Sequence, residues 1–204
     1  MKDYWNNSNE VQPKKLETQE MFKEPSFLEV VSNRIYFYGE IEREKVLQLN
    51  KKIREMNNEY LLLRGNLALE ELPKIYLHIN SYGGSFFSGL SVMDSILQSQ
   101  LPIITIVDGC CASAATLFSV VGTERLIHKH AFMLIHQISS FCWGKFSEFE
   151  DEMENLKRLM ATLKGIYKQY TKIPMKKIEE IVKHDLWFDA ETCLQYGLVD
   201  SIIK

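Results

Sequence analysis

A serine, a histidine and an aspartate occupy positions from which they could carry out acyl transfer. Ser113 follows the apolar run at residues 103–107 and opens a segment of small residues. His136 comes directly after a predicted strand, and Asp185 lies between a predicted helix and an aromatic patch. A serine hydroxyl is a poor nucleophile until a base removes its proton, and a carboxylate can hold that base in the required tautomer. These residue types are the ones from which a nucleophile, a general base and an orienting acid can be built, and residue type alone does not assign the roles.

Each of these positions also has a commoner structural explanation when it is taken alone. Small residues with a serine occur where a helix packs tightly on a sheet, which would explain Ser113. A lone histidine such as His136 is more often a hydrogen-bonded core or rim residue. An aspartate such as Asp185 more often interacts with a helix end. The residues taken singly leave both explanations open.

Gly83 and Gly84 follow the predicted strand at residues 73–80. Two glycines there would let the backbone run close to a bound peptide and turn an N–H group towards it. The pair does not complete Gly-x-Gly-x-x-Gly, and the chain has neither a phosphate loop nor a Gly-x-Ser-x-Gly motif. His128, His130 and the four cysteines lack the paired spacing of metal-binding motifs. We therefore expect no nucleotide cofactor and no metal in this chain.

The hydrophobic pattern alternates between strands and helices, which is typical of an α/β fold. Strands are predicted at residues 34–39, 73–80, 103–107, 125–127, 131–135 and 199–203. Helices are predicted at residues 40–59, 88–98, 112–121, 146–170 and 175–182, with a short one within 187–198. Gly109 is expected to end the third strand, and residues 60–71 could continue a helix or begin an irregular insert.

The long helix predicted at residues 146–170 has an apolar stripe along one face. Its members recur at steps of three or four, and they are Phe146, Phe149, Met153, Leu156, Leu159, Leu163, Ile166 and Tyr170. If the helix projects from the domain, such a stripe would be an aggregation hazard in water. We therefore expect a partner surface to cover it.

The composition narrows the classes of partner. The 204 residues have a net charge of −3, so neither nucleic acid nor an anionic membrane is expected to bind. No stretch approaches the roughly 20 apolar residues that span a bilayer. Residues 1–25 are polar, lack the layout of a secretory signal and are predicted to form a flexible arm. A bridge between the adjacent Cys110 and Cys111 would be strained, which favours free thiols in a reducing cytosol.

Five segments, in the same order along the chain, resemble the proteolytic subunit of the Clp protease. Residues 79–84 resemble that family's Ile-Asn-Ser-Pro-Gly-Gly turn, and residues 109–113 resemble its Gly-Gln-Ala-Ala-Ser nucleophile segment. Residues 133–137 are similar to its Met-Ile-His-Gln-Pro segment. Residues 184–190 and 196–202 are similar to its Arg-Asp-x-Phe-x-Ser-Ala and closing Tyr-Gly-Leu-Val-Asp segments. The match runs from about Arg34 to the end of the sequence.

The resemblance implies a role for each site residue. Ser113 would be the nucleophile, His136 the general base and Asp185 the acid that orients the histidine. The backbone N–H groups of Gly84 and Ala114 would form the oxyanion hole. The chain would be an ATP-dependent Clp-type serine endopeptidase subunit that hydrolyses unfolded proteins in a closed chamber.

The resemblance also implies a fold and an assembly. The fold would be a crotonase-like ββα spiral, with one domain at residues 26–204. Its head would comprise about 26–137 and 183–204, and its handle about 138–182. Heptameric rings would stack as a tetradecamer, and a partner AAA+ unfoldase would use the ATP, so that this chain needs no cofactor. The expected location is the cytoplasm, an organelle stroma or matrix, or a host cytoplasm if the protein is viral.

The sequence also departs from the family pattern, and two other functions stay open. Tyr82 and Ile138 stand where the family usually has proline, and Cys110 and Cys111 alter the surroundings of Ser113. The same spiral fold also serves acyl-CoA enzymes, although their usual glutamate pair is not evident. A non-catalytic ring subunit is the second alternative, although such subunits typically lack one of the three catalytic residues.

Overall fold

The computed structural model describes residues 26–67 and 71–203, so the predicted arm at residues 1–25 lies outside the described residues. The described part contains eight strands and six helices. The strands are β1 (Leu28–Val31), β2 (Arg34–Tyr38), β3 (Ile75–Ser81), β4 (Ile103–Ala112), β5 (Glu124–His128), β6 (Phe132–Leu134), β7 (Trp187–Phe188) and β8 (Ser201–Ile203). The helices are α1 (Arg43–Leu67), α2 (Phe86–Leu97), α3 (Ala114–Ser119), α4 (Phe146–Tyr170), α5 (Met175–Ile181) and α6 (Ala190–Tyr196). Strands and helices alternate, which confirms the predicted α/β class.

One sheet carries the fold, in the order β1-β2-β3-β4-β5-β8. The pairs from β2 to β8 along this path are parallel, while β1 runs antiparallel to β2. β6 pairs with the second half of β4 instead, and β7 pairs antiparallel with β6. Strand β4 is therefore shared between two neighbours, β5 along its first half and β6 along its last three residues.

The prediction that Gly109 ends the third strand is wrong. Strand β4 continues through Gly109 to Ala112. Gly109 has a φ of +74°, a conformation that glycine adopts without the strain imposed by a side chain. The register with β3 shifts between Ile79 and Ser81, beside this bend. The glycine thus redirects the strand from β5 towards β6.

Helix boundaries also differ from the predictions, and the differences are largest at α1 and α3. Helix α1 continues to Leu67, so the ambiguous segment after residue 59 is helical as far as the structure describes it. Helix α3 is shorter than the predicted 112–121, because Ala112 still pairs with Leu134 in the sheet. Helix α4 has the predicted bounds, Phe146–Tyr170.

The core lies on the helix-covered face of the sheet. In β2, Ile35 and Phe37 are buried, whereas Tyr36 and Tyr38 alternate with them and are not. The same hydrophobic cluster contains Leu49 of α1 and residues of α2 and α3. This alternation leaves the opposite face of β2 partly exposed, as expected for a strand covered on one side.

The apolar stripe on α4 divides into two parts. Leu163 and Ile166 are buried in the chain's own core, and the Tyr167 hydroxyl lies 2.6 Å from Thr116 Oγ1. Phe146 at the other end is 78% exposed, and Phe149 and Met153 are also exposed. The expectation that a partner covers the whole stripe is therefore wrong for its second half. The division into head and handle stays a prediction.

Two further findings concern the cysteines and the possibility of a membrane-spanning helix. All four cysteines are free thiols. Among the residues that the structure describes, no helix is both long enough and apolar enough to cross a membrane.

Candidate active site

Ser113 stands at a strained turn between a strand and a helix. It follows the last residue of β4 and precedes α3, with φ 53° and ψ −127°. Residues with a side chain rarely adopt this region, and such strain concentrates at functional sites. The Ser113 N–H donates to the Leu134 carbonyl at 2.9 Å, and the Ser113 carbonyl accepts from the Thr116 N–H at 3.0 Å. The backbone of Ser113 is therefore bonded to the sheet through its N–H and to the helix through its carbonyl.

Two glycines outside the serine segment make room for this turn. A Cβ atom on Gly83 would lie 2.5 Å from the Ser113 Cβ, and one on Gly89 would lie 2.7 Å from the Ala114 carbonyl oxygen. In hydrolases with a Gly-x-Ser-x-Gly motif, glycines beside the serine itself occur at such a turn. Here the space comes from Gly83 in the turn after β3 and from Gly89 in α2. This explains how a strained serine turn forms without that motif.

His136 reaches Ser113 because β6 pairs with the end of β4. The pairing sets Leu134 beside Ala112, and His136 lies two residues further on. His136 Nε2 is 2.8 Å from Ser113 Oγ, a normal hydrogen-bond length. The histidine side chain is 25% exposed, so one edge faces solvent.

Asp185 completes a line of three side chains. Its Oδ1 atom lies 3.2 Å from His136 Nδ1. Two backbone contacts hold this segment, since the Gln137 N–H donates to the Val182 carbonyl at 2.8 Å and Trp187 pairs with Leu134. The Asp185 side chain is nevertheless 78% exposed. Water therefore competes for its carboxylate more than in a buried site.

Gly84 and Ala114 lie in the wall of the same cavity. Gly84 forms a parallel bridge with Ile41, in which the Gly83 carbonyl accepts from the Ile41 N–H at 2.7 Å and the Ser85 N–H donates to the Ile41 carbonyl at 2.8 Å. In a parallel bridge the central residue directs its own N–H to the other side. The Gly84 N–H therefore points away from Ile41.

The cavity has a volume of about 230 Å³. Ser113, His136, Gly84 and Ala114 line it. The rest of the lining is mixed: it comprises the apolar Phe86, Leu117, Ile138 and Leu163 and the polar Ser85, Gln137 and Ser139. A cavity with apolar side chains beside reactive groups can hold an apolar side chain of a substrate.

The structure brings all five sequence-predicted residues to one place. Ser113, His136 and Asp185 form a continuous line of contacts, and Gly84 and Ala114 lie beside it. Sequence reasoning did not find Gly89 or the Leu134 carbonyl, both of which support the serine turn. A glycine within a helical pattern was the available signal for Gly89, because such a residue often has a packing reason.

In this line of side chains an acid contacts a histidine and the histidine contacts a serine hydroxyl. The comparisons with known proteins identify the family. The family model described as Clp protease matches residues 31–204. The chain belongs to the Clp protease family, and its function is that of a Clp-type peptidase subunit.

Similar proteins include several curated plant relatives. The chain is 34% identical to the ATP-dependent Clp protease proteolytic subunit of Epifagus virginiana over 170 residues, covering 81% of this chain and 87% of that protein. The same figures hold for chloroplastic ATP-dependent Clp protease proteolytic subunit 1 of Arabidopsis thaliana. A solved structure of a ClpP1 mutant from Listeria monocytogenes has a TM-score of 0.70 at 21% identity, covering 82% of this chain and 88% of that one. The last comparison supports the predicted ClpP fold.

Proposed function

We propose that this chain is a serine endopeptidase subunit in which Ser113 is the nucleophile, His136 the general base and Asp185 the orienting acid. The contact of 2.8 Å between His136 Nε2 and Ser113 Oγ carries the proposal. With Nδ1 donating its proton to Asp185, Nε2 is free to accept from the serine hydroxyl. The apolar side chains in the cavity lining, which include Phe86, Leu117 and Ile138, support a peptide side chain as the bound group.

The proposed reaction has two steps. Ser113 Oγ attacks the carbonyl carbon of the scissile bond while its proton passes to His136 Nε2. The imidazolium then gives this proton to the leaving amine, which releases one peptide and leaves an ester on Ser113. Water then attacks that ester while its proton passes to His136; the C–O bond to Ser113 breaks, Ser113 Oγ takes that proton back, and the second peptide leaves with a new carboxyl group. The Asp185 carboxylate stabilises the imidazolium in both steps and keeps its own charge.

The negative oxygen of the tetrahedral intermediate needs hydrogen-bond donors. We assign this role to the backbone N–H groups of Gly84 and Ala114, which line the cavity beside Ser113. Backbone donors fixed in place before the reaction need no reorganisation as charge develops. Hydrolysis of a fluorogenic peptide by the purified protein, blocked by a serine-directed inhibitor, tests the proposal. Turnover of an acyl-CoA thioester without peptide hydrolysis would contradict it.

Asp185→Asn should lower kcat for peptide hydrolysis by about tenfold to a hundredfold. A triad aspartate in a buried site is worth about 10⁴ in kcat, and the exposure of Asp185 should reduce that value. Steady-state kinetics on a fluorogenic peptide measures the change. Asp94→Asn, at an exposed position on α2, serves as the control and should keep wild-type kcat. Equal kcat in all three proteins would show that Asp185 does not orient His136.

We further propose that the chain assembles into rings, expected to be heptameric and stacked in pairs, through the exposed half of α4. Phe146, Phe149 and Met153 are exposed in the single chain, and a surface of this kind usually meets a partner. An AAA+ unfoldase would use ATP and supply unfolded polypeptide, so this chain would need no cofactor. The expected compartment is the cytoplasm, an organelle stroma or matrix, or a host cytoplasm if the protein is viral. The chloroplastic name of one relative supports the organelle stroma.

Phe149→Glu combined with Met153→Glu should split the assembly into smaller species. Burying two carboxylates at a contact between subunits costs several kcal/mol, unless cationic partners lie opposite. Sedimentation velocity measures the change, and circular dichroism shows whether the helices persist. Asp151→Lys, on the opposite face of α4, is the matched control and should leave the assembly intact. A wild-type protein that sediments as an active monomer would contradict this proposal.

A further inference from the structure

Three neighbouring strands bring two histidines and one aspartate together on the sheet face away from the helices. His78 lies in β3, His128 ends β5, and Asp108 lies in β4 between them. The pairing of His78 with Ile106 places Asp108, two residues further on, on the same face as His78. The pairing of Val107 with Ile127 brings His128 level with Asp108.

The three side chains offer one compact set of ligand atoms. His78 Nδ1 lies 2.8 Å from Asp108 Oδ2, and His128 Nε2 lies 3.0 Å from Asp108 Oδ1. One atom from each residue can be chosen so that all three lie within 4.8 Å of one another. The Asp108 side chain is only 12% exposed. Its Oδ1 atom is buried, and although His128 Nε2 is close to it, no described residue meets the angles of a hydrogen bond to this oxygen.

We propose that His78 Nδ1, the Asp108 carboxylate and His128 Nε2 bind a divalent transition-metal ion, with Zn²⁺ as the preferred ion. Imidazole and carboxylate are the ligands that suit zinc, at about 2.0–2.2 Å from the ion. Ligand atoms in a tetrahedron of this size lie about 3.3 Å apart, which small side-chain movements reach from the observed positions. His128 is 47% exposed, so the fourth position opens to solvent and can hold water or a ligand from another molecule.

The groups around the cluster orient the carboxylate. The Tyr38 hydroxyl donates to Asp108 Oδ2 at 2.8 Å. Burial, followed by the hydrogen bond to Asp108, raises the pKa of Tyr38, so that the hydroxyl keeps its proton. Burial alone would raise the pKa of Asp108, but hydrogen bonds from His78 and Tyr38 hold this pKa below its usual value. The hydrogen bonds to Asp108 hold its carboxylate in position, as outer hydrogen bonds do for metal ligands.

Arg34 stabilises the form of His78 in which Nδ1 carries the proton and cannot bind a metal. Substituting Arg34 therefore provides a specific test. One guanidinium nitrogen lies 2.9 Å from His78 Nε2, which places the ring proton on Nδ1, facing Asp108. A metal on Nδ1 replaces that proton, and the neutral ring then carries its proton on Nε2. Arg34 must turn away in response, and its guanidinium carbon already lies 4.5 Å from the centre of the Tyr76 ring. Removing the guanidinium should therefore strengthen metal binding.

The test is a titration of the full chain with Zn²⁺ after treatment with a chelator, together with Co²⁺ as a spectroscopic probe. We expect one ion per chain, and an intense visible Co²⁺ spectrum of the tetrahedral type. His128→Ala and Asp108→Asn should weaken binding at least about tenfold, since even partners outside the ligand shell are worth that much. Arg34→Gln should tighten binding. His130→Ala, two residues from His128 and exposed, is the matched control and should bind as the wild type does.

Two results would overturn the inference. One is a chain that binds no Zn²⁺ at micromolar concentration. The other is binding that survives both His128→Ala and Asp108→Asn unchanged, which would place the ion elsewhere. Circular dichroism of each variant shows that a loss of binding is not a loss of folding, and His128, as a half-exposed residue, is the safer substitution of the two. Peptide hydrolysis is not a readout here, so the result is independent of the proposed peptidase mechanism.

Discussion

Ser113→Ala should lower peptide hydrolysis by at least about three orders of magnitude. The hydroxyl of Ser113 lies 2.8 Å from His136 Nε2, and Gly84 and Ala114 line the same cavity. The remaining activity would come from backbone donors and water, because members of a catalytic triad act as a unit. Initial rates with a saturating fluorogenic peptide measure the loss. Alanine removes one oxygen atom, so the variant should keep its assembly.

Ser201→Ala is the matched control for this substitution. Ser201 is exposed at the start of β8 and lies outside the cavity. Its hydrolysis rate should equal that of the wild type. If Ser113→Ala keeps more than about a tenth of the activity in a clean preparation, the assignment of the nucleophile is wrong.

Gly83→Ala should lower hydrolysis at least about a hundredfold while the helices and sheet persist. The added Cβ would lie 2.5 Å from the Ser113 Cβ and 2.8 Å from the Ala112 carbonyl oxygen. Both contacts are too short, so the surrounding atoms would have to move. Gly83 also has a φ of +101°, which strains any residue with a side chain. Either the serine turn or the Gly84 segment must move, and a displacement of about 1 Å at a catalytic group costs about 10² in rate.

Gly65→Ala tests whether this loss is specific to the site. Gly65 lies within α1, and an added Cβ there meets nothing within 4 Å. The substitution should leave activity unchanged and raise stability by about 0.5–1 kcal/mol, because alanine is the better helix former. Thermal unfolding and hydrolysis measured on both variants separate the two effects. A Gly83→Ala variant with wild-type kcat would contradict the close contact.

Short sequence segments were sufficient to predict which residues come together in the candidate site. Ser113, His136 and Asp185 each lie in a segment that resembles a family motif, and His136 follows β6 closely, as the apolar pattern at residues 131–135 predicts. The long helix α4 could be predicted to the residue, because its apolar spacing of three or four continues without interruption from Phe146 to Tyr170. A local sequence pattern predicts a helix or a strand well where that element has a single apolar face.

Other features depend on contacts between distant segments and could not be predicted in this way. The space for the Ser113 turn comes from Gly83 and Gly89, which are remote in sequence from the serine. The stripe on α4 does not reveal which half packs on its own core, since apolar spacing is the same for Leu163 and Met153. Gly109 is predicted from the sequence to end a strand, but pairing with β6 continues β4 beyond it.

The cluster of His78, Asp108 and His128 shows the same limit for metal ligands. Motif searches look for histidines and cysteines a few residues apart, and the only close pair in that region is His128 with His130. The structural cluster takes one residue from each of three parallel strands, 30 and 20 positions apart. Such a set becomes visible only once strand order and register are known.

Labelling with a fluorophosphonate probe tests the central claim most directly, because the probe reacts with a serine that a neighbouring base has activated. Peptide mapping by mass spectrometry of the labelled, assembled protein should place the adduct on Ser113. Ser113→Ala and His136→Ala should both remain unlabelled, and Ser201→Ala should label as the wild type does. An adduct on another serine, or no adduct on a protein that hydrolyses peptides, would contradict the assignment of Ser113 and His136.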